Sequence, residues 1–208
     1  TVILCLIGLL SAVGSAQTFV RFETVLGNID LELYPDVAPN TVANFMNYVT
    51  DRDYDLSFIH RSDPGFVIQG GGFRYLPESL YGQDAGHYYV PTDEYLENEF
   101  SLSNLRGTIA MAKVGSQYDP DTGELIPGTG PDSATSQWFI NLSDDNAVLD
   151  TIEGGYTVFG EVIRGMEIVD FVGRVIDQLP GYPDLDVYDL RQMFNHGSMG
   201  QMPLVDYD

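Results

Sequence analysis

The chain has 208 residues, of which 44% are hydrophobic, and it contains 13 Tyr, 11 Phe and 22 Gly. This apolar content excludes a disordered chain, and the length suits one domain with a substantial core. The 31 acidic residues outnumber the 9 basic ones, which gives a formal net charge of -22. Such a charge repels phosphate backbones and anionic lipid headgroups, so it argues against nucleic-acid and membrane-surface partners.

The first residues have the pattern of an export signal. Residues 2–13 form an apolar run that is shorter than the ~20 residues needed to span a bilayer, and small residues ending at Ala16 follow it, as at a signal-peptidase site. The only cysteine, Cys5, lies in this run, so the rest of the chain has no thiol for a disulfide, a metal or a nucleophile. We predict an export signal over residues 1–16, one domain over residues 17–208, and a periplasmic or secreted protein. The alternative is that the run is a buried first strand or helix.

The elements predicted for the following chain are mostly short strands. Alternating apolar and polar residues on both sides of Leu26-Gly27-Asn28 predict a β-hairpin. Residues 39–50 carry apolar side chains at helical spacing behind a first-turn proline, which predicts an amphipathic helix, and residues 165–175 predict a second one. Strand-like runs occur at residues 57–61, 66–69, 108–113, 137–142 and 156–163. Many short strands with few helices indicate a closed barrel or a sandwich.

Two long stretches do not fit regular elements. Residues 114–131 are rich in Gly, Pro and Asp and long for a loop in a compact domain, so they predict either a functional loop or a tolerated insertion. Residues 177–200 predict an irregular tract with a possible short helix at residues 188–195, followed by a terminal strand near residues 203–207.

The segment from Phe58 to Gly72 is the most informative in the chain. Asp63-Pro64-Gly65 favours a tight turn, so Arg61 and Gln69 belong to two adjacent strands and could face one surface. An arginine and a glutamine among aromatic residues suit a neutral substrate, whereas the ordinary alternative is a solvated strand arginine. His-Arg-Ser-Asp lacks the other motifs of a kinase, and the triple glycine lacks the ending of a phosphate-binding loop.

Several separated blocks resemble the signature of the cyclophilins. They are FxHR followed by PGFVxQGG from Phe58 to Gly71, GTIAMA from Gly107 to Ala112, SQWFI from Ser136 to Ile140, Leu149-Asp150, and YTVFGEV from Tyr156 to Val162. The resemblance covers about residues 19–175 in the family's order. It implies a mainly β fold, a closed eight-stranded antiparallel β-barrel capped by two α-helices. It also implies peptidyl-prolyl cis-trans isomerase activity, with no cofactor and no metal.

The resemblance also implies roles for individual residues. Arg61 matches the family's catalytic arginine, and it would donate to the imide nitrogen of a twisted X-Pro amide; Gln69 matches the glutamine that positions the substrate. Four residues match the wall of the proline pocket: Phe66, Val67, Phe139 and Leu149. Of these, we group Phe66 with the catalytic residues. Ala112, Lys113 and Gln137 match groove residues that hold the substrate backbone. Val148 stands where many members have tryptophan, and Tyr156 where they often have histidine.

The expected partners are proline-containing polypeptides, and we expect weak or no cyclosporin binding, no membrane association of the mature form and a monomer. A binding module that holds proline-containing partners without turnover is the main alternative, but the presence of Arg61, Gln69 and Phe139 together favours an enzyme. A third possibility is that residues 114–131 and 177–200 form a partner interface.

Other candidate sites are weaker. His60 is expected on the strand face opposite Arg61 and therefore to be structural. Asp119, Asp121 and Glu124 suggest part of a calcium loop, but the rest of its pattern is missing, so a solvated acidic loop is favoured. The glycosylation sequon at Asn141 overlaps a predicted core strand, which makes chance the better explanation.

Overall fold

The computed structural model describes residues 17–76 and 86–174. The predicted export signal, the irregular tract at residues 177–200 and the terminal strand lie outside the described residues. Among the described helices, none is long and apolar enough to cross a membrane.

The predicted hairpin and first helix are confirmed. Strands β1 (Thr18–Thr24) and β2 (Gly27–Leu33) pair antiparallel, with Thr24 opposite Gly27 across a two-residue turn. Gly27 has φ of +131°, a conformation that residues with a side chain rarely adopt. Helix α1 has the predicted bounds, Pro39–Thr50, and buries Phe45 completely against the sheet.

The remaining elements are short. In chain order they are β3 (Arg61–Asp63), β4 (Val67–Gly70), β5 (Phe73–Leu76), β6 (Gly86–Tyr89), β7 (Thr108–Met111), β8 (Trp138–Asn141), a 3-10 helix (Asp144–Asp150), β9 (Val158–Arg164) and α2 (Met166–Arg174). The predicted strand at residues 57–61 is wrong, because regular pairing starts only at Arg61 and Ser57 forms an isolated bridge to Arg74. Strands β5 and β6 and the 3-10 helix were not predicted.

Seven strands form one antiparallel sheet in the order β1-β2-β9-β7-β8-β4-β3, and β5 and β6 form a separate two-stranded sheet. The predicted closed eight-stranded barrel is not confirmed in the described residues. The backbone of the segment before β3 meets β5 through the Ser57–Arg74 bridge and two hydrogen bonds, Phe58 N to Phe73 O at 3.3 Å and Tyr75 N to Leu56 O at 3.0 Å, and not through a regular ladder. The glycines between β4 and β5 turn the chain here, so the two sheets meet without a continuous ladder.

Alternation along the central strands divides the core into two clusters. Ile140 and Met111 belong to the main cluster, which α1 and α2 cover. Phe139 and Ala110, which alternate with them, belong to a smaller cluster on the opposite face. This second face carries the candidate site.

Candidate functional site

An apolar pocket wall forms on the second face of the sheet. Its buried members are Val67, Ala110, Phe139, Leu149 and Val158, and Phe66, Ala112 and Tyr156 pack against them half-buried. The rings of Phe139 and Tyr156 meet edge to face, with centroids 5.6 Å apart. All four residues predicted for the wall of the proline pocket, Phe66, Val67, Phe139 and Leu149, therefore lie together.

Arg61 lies at the edge of this wall. It is opposite Gln69 in the β3–β4 ladder, as the turn between the strands predicts. Its Nη2 donates to Asp63 Oδ2 at 2.9 Å, its Nη1 makes a longer contact of 3.5 Å with Gln69 Oε1, and its Cζ lies 5.6 Å from the centroid of the Phe66 ring. The side chain is 31% exposed, so the guanidinium is held by three neighbours and still reaches solvent.

Asp63 is a site residue that the sequence reasoning missed. It follows Arg61 by two positions in β3, which places both side chains on one face of the strand while Ser62, between them, is fully buried on the other. The Asp63 side chain is 33% exposed. The signal that would have found it is an acid two residues from the arginine in a predicted strand.

A chain of amides runs across the pocket floor. Gln69 is paired with Phe139 across β4 and β8, and its Nε2 donates to Gln137 Oε1 at 2.8 Å. The backbone nitrogen of Ala112 donates to the backbone oxygen of Gln137 at 2.9 Å. Three residues predicted to position the substrate, Gln69, Gln137 and Ala112, are thus linked by hydrogen bonds that involve no ionisable group.

The glycine run explains how Gln137 finds this position. An added Cβ at Gly72 would lie 2.9 Å from Gln137 Cδ and 3.1 Å from His60 Cε1, closer than real Cβ contacts allow without movement. A Cβ at Gly70 would meet the Trp138 ring at 2.7 Å. Gly72 therefore makes space for Gln137 in the site, and Gly70 for Trp138 in the main core cluster.

The side chain of Lys113 is bound by its own chain. Its Nζ donates to the backbone oxygens of Glu153 at 2.7 Å and Gly155 at 2.6 Å, and it lies 4.7 Å from the centroid of the Tyr156 ring. Burial lowers the pKa of Lys113, against the opposing effects of Glu153 and Asp132. Burial raises the pKa of Tyr156. We call Lys113, Glu153 and Gly155 the lysine clamp.

The loop at residues 114–131 is joined to this clamp. The carboxylate of Glu153 accepts from the backbone nitrogen of Ser116 at 2.9 Å and from the Ser116 hydroxyl, and these bonds lower the pKa of Glu153. Gly130 N donates to Val114 O at 2.8 Å, which closes the base of the loop. The loop is therefore structured and anchored beside the pocket.

Val148 and Leu149 lie in the 3-10 helix and differ in exposure. Val148 is 56% exposed, whereas Leu149 is 7% exposed and forms part of the wall. Asp150, the next residue, accepts from the Ser103 hydroxyl and from the backbone and side-chain nitrogens of Asn104 at 2.9 and 3.0 Å. Burial raises the pKa of Asp150, but these hydrogen bonds outweigh it and the pKa lies below its ordinary value. This 3-10 helix was not predicted, although its capping residue Ser143, whose hydroxyl accepts from Asp145 N, was a usable signal.

The weaker candidates have structural explanations. His60 is fully buried and packs edge-on against Phe73 with centroids 4.9 Å apart. The Asp119 carboxylate accepts from the backbone nitrogens of Asp121 at 2.8 Å and Thr122 at 2.9 Å, so it stabilises its own turn. Asn141 is fully buried and donates to the Thr108 hydroxyl at 2.9 Å. Within residues 17–76 and 86–174, no group of three or more His, Cys, Asp or Glu is arranged to hold a metal ion.

Comparison with known proteins agrees with this arrangement. The family model of the cyclophilin type peptidyl-prolyl cis-trans isomerases matches residues 19–181. A peptidyl-prolyl cis-trans isomerase of Acinetobacter baylyi is 41% identical over 80% of this chain and 78% of its own length. Peptidyl-prolyl cis-trans isomerase A of Dickeya dadantii is 40% identical over 77% of this chain and 74% of its own length.

A solved structure of a cyclophilin type isomerase from Cryptosporidium parvum superposes with a TM-score of 0.53 at 25% identity, over 76% of this chain and 86% of that one. The chain belongs to the cyclophilin type peptidyl-prolyl cis-trans isomerase family. It is accordingly an enzyme that interconverts the cis and trans forms of X-Pro bonds.

Proposed function

We propose that this enzyme acts on X-Pro bonds of exported polypeptides by binding the twisted amide more tightly than either planar isomer, with Arg61 as the donor to the imide nitrogen. Rotation about an X-Pro bond meets a barrier of ~18–20 kcal/mol because the amide is conjugated. Since no bond breaks, a catalyst needs only to prefer the twisted state. A preference of ~7 kcal/mol would speed the step by roughly five powers of ten.

The position of the Arg61 guanidinium carries this proposal. It lies over the Phe66 ring at the edge of an apolar wall that could hold a proline ring still. In the twisted state the imide nitrogen is pyramidal and has a lone pair, so a guanidinium gains a charge-assisted hydrogen bond that the planar isomers do not offer. Asp63 and Gln69 contact only Nη2 and Nη1, and a guanidinium has further N–H groups for the substrate.

Asp63 has a positioning role in this scheme. A free arginine side chain samples many rotamers, and holding it in one of them reduces the entropy that must be lost at the transition state. The Asp63 carboxylate at 2.9 Å, the Gln69 amide and the Phe66 ring hold the guanidinium from three sides. Asp63 thus acts through Arg61 and not on the substrate.

Exchange NMR on an Ala-Pro peptide tests the proposal, because it measures isomerisation without a coupling protease. Arg61→Ala should lower kcat/KM at least ~10-fold, equivalent to ~1.4 kcal/mol or more of transition-state stabilisation, and Arg61→Lys should recover only part because lysine lacks the planar fork. Arg106→Ala is the matched control, since Arg106 is likewise paired with an aspartate, Asp170 at 2.7 Å, and neither residue belongs to the pocket wall. An unchanged rate in a folded Arg61→Ala variant would exclude Arg61 as the donor.

The substrate class and location are part of the same proposal. The Cryptosporidium isomerase has also been solved in the presence of the dipeptide Ala-Pro, at 24% identity to this chain and a TM-score of 0.51, which supports the choice of that peptide. The apolar run ending in small residues before Gln17 supports export. Mass spectrometry of secreted protein should find Gln17 at or near the N-terminus, whereas an intact residue 1–16 segment on that protein would contradict the predicted cleavage.

A further inference from the structure

The loop at residues 114–131 exposes large apolar side chains beside the proposed substrate site. Tyr118 is 62% exposed, Leu125 42% and Ile126 37%, and Tyr95, from the neighbouring segment, is 59% exposed. We call these four side chains the loop face. Exposed aromatic and aliphatic groups gathered on one ordered loop are typical of a contact surface, whereas isolated ones need no explanation.

The four side chains belong to one ordered unit. Tyr118 and Leu125 face each other across an isolated bridge, and Ile126 N donates to Gln117 O at 2.8 Å. Leu125 lies against Gly130, where an added Cβ would come within 3.1 Å of it, and the Tyr95 ring fills the space that a Cβ at Gly128 would need. Because the loop is already ordered, a partner would bind it without first ordering it.

The loop face is also continuous with the proposed site. The loop begins directly after Lys113, whose ammonium is held by the backbone oxygens of Glu153 and Gly155 next to Tyr156. Ser116 is bound to the Glu153 carboxylate. The base of the loop therefore adjoins Tyr156, whose ring meets that of Phe139, and we take the loop face to contact residues that flank a proline bound at Phe139.

The charge around the loop face determines what those flanking residues should be. Between Val114 and Ile163 there are nine Asp or Glu and no Lys or Arg, and between Arg74 and Arg106 there is no Lys or Arg either. Asp93, Glu94, Asp121 and Glu124 are exposed next to or within the loop. The one ammonium nearby, that of Lys113, is engaged by backbone oxygens.

We propose that the loop face binds basic residues of the client polypeptide, arginine or lysine, that flank the isomerised X-Pro bond. Tyrosine rings attract a guanidinium or an ammonium through their faces and pack its aliphatic stem. The exposed carboxylates of Asp93, Glu94, Asp121 and Glu124 add attraction, and the net charge of -22 steers such segments towards the protein. This inference rests on the proposed function, because it assumes that the proline occupies the pocket of Phe66 and Phe139.

The test compares three substrates with the same Ala-Pro core: a neutral tetrapeptide, a longer peptide with flanking arginines, and the same longer peptide with glutamates instead. For the full chain, exchange NMR should give the arginine peptide a KM roughly tenfold below that of the glutamate peptide at low salt. The difference should shrink when added salt shortens the screening length. Equal KM values for the two long peptides would overturn the proposal.

Variants then locate the effect. Two double variants test the loop face: Tyr118→Ala with Leu125→Ala, and Asp121→Asn with Glu124→Gln. Each should reduce the preference for the arginine peptide severalfold and leave turnover of the tetrapeptide unchanged. The matched controls are Phe19→Ala and Glu23→Gln, which alter an exposed aromatic ring and an exposed carboxylate on β1. Controls that reduce the preference equally would overturn the loop face as its origin.

Other occupants give different results. Self-association that Tyr118→Ala abolishes would show that a second copy covers the face, and a stability loss without any change in peptide preference would show that the chain's own residues cover it; either result overturns the proposal. A wild-type protein that fails to turn over even the neutral tetrapeptide would instead contradict the proposed function. The tetrapeptide thus separates failure of the site from failure of the loop face.

Discussion

The pocket wall and the loop beside it are held by different forces. The wall is formed by neighbouring strands whose register places Val67, Ala110, Phe139 and Val158 together, and its polar floor consists of the neutral pair Gln69 and Gln137. The loop at residues 114–131 has no regular strand. Scattered backbone hydrogen bonds hold it, such as Gly130 N to Val114 O, and carboxylates add to them, Glu153 towards Ser116 and Asp119 within its own turn.

This difference predicts which of the two regions should be insensitive to changes of charge and pH. Strand register is set by many backbone hydrogen bonds and by burial, so it resists changes of charge or pH. Charge-assisted hydrogen bonds of exposed groups are individually weak and depend on ionisation. We therefore expect chemistry and inhibitor binding to follow the pocket, and pH sensitivity to follow the loop.

The largest expected effect concerns cyclosporin and the rim of the pocket. Val148 is 56% exposed beside buried Leu149. By the family resemblance, it occupies the position at which cyclosporin-sensitive cyclophilins have tryptophan. Compared with tryptophan, valine loses ~100 Å² of apolar contact with the inhibitor, which costs ~2.5 kcal/mol, and one N–H donor, which costs ~1 kcal/mol. Together these losses weaken inhibitor binding by a factor of roughly a few hundred. Inhibition titrations should give micromolar or weaker affinity, with Val148→Trp restoring part of it.

Turnover of prolyl peptides should not depend on having valine at position 148, because other residues, Phe66, Phe139 and Leu149, form the wall of the pocket. Ile152→Trp is the control, since Ile152 is 42% exposed on the segment after the 3-10 helix and should not restore inhibition. Nanomolar inhibition of the unmodified protein would show that Val148 does not control binding and would point to the Tyr156 hydroxyl as a substitute donor.

The next effect tests whether Asp63 positions the proposed donor. Asp63→Ala should lower kcat about fivefold with little change in KM, because the guanidinium loses one of its three supports while the wall is intact. Exchange NMR should also show that Asp63→Ala has no further effect once Arg61 is alanine.

Asp170→Asn is the matched control, because it breaks a comparable pair, with Arg106, whose two residues are not part of the pocket wall, and it should leave kcat unchanged. A normal kcat in Asp63→Ala, or an equal loss in the Arg61→Ala background, would contradict the positioning role.

A smaller effect is expected from the glycine that makes room for Gln137. In Gly72→Ala the new methyl group would push the Gln137 side chain, 2.9 Å away, from its bond to Gln69. Since Gln137 is the flexible partner, the fold should persist and KM should rise roughly threefold.

Gly115→Ala is the comparison, since its added Cβ would lie at an ordinary 3.8 Å from Glu153 Oε1. If Gly72→Ala left KM unchanged, the hydrogen bond between Gln69 and Gln137 would not contribute to substrate binding.

The smallest effect is an acid-induced release of the loop. The pKa of Glu153 is lowered in the folded protein by its bonds from Ser116, so its stabilising contribution is present above the ordinary value of 4.5 and is lost as the pH falls through the folded pKa. In an NMR titration from neutral pH to about pH 3, the Ser116 amide should shift in this acid range while the side-chain amides of Gln69 and Gln137 hold their positions.

Glu153→Gln should abolish the Ser116 titration, because an amide does not ionise in this range. A pocket that titrates together with Ser116 would show that the loop and the wall are one unit and would remove the distinction between them.

The local elements could be predicted well from the sequence. Apolar spacing predicted α1 with its observed bounds, the glycine turn predicted the β1–β2 hairpin, and the turn at Asp63-Pro64-Gly65 placed Arg61 opposite Gln69. These features depend on residues close together in the chain, where propensity and periodicity act directly. The wall residues Phe66, Val67, Phe139 and Leu149 were predicted through the family resemblance, and the structure brings them together.

Contacts between distant segments could not be predicted in the same way. The lysine clamp depends on where a turn 40 residues from Lys113 directs its backbone oxygens, and no side-chain pattern encodes the direction of a carbonyl group. The same limit applies to the closed barrel, because the separation of β5 and β6 from the main sheet depends on how the glycine run directs the chain. The sequence by itself thus determined the β1–β2 hairpin, the first helix and the type of chemistry. Only the tertiary structure decided how Arg61 is held and what anchors the loop, because both depend on contacts between segments that meet only in the folded chain.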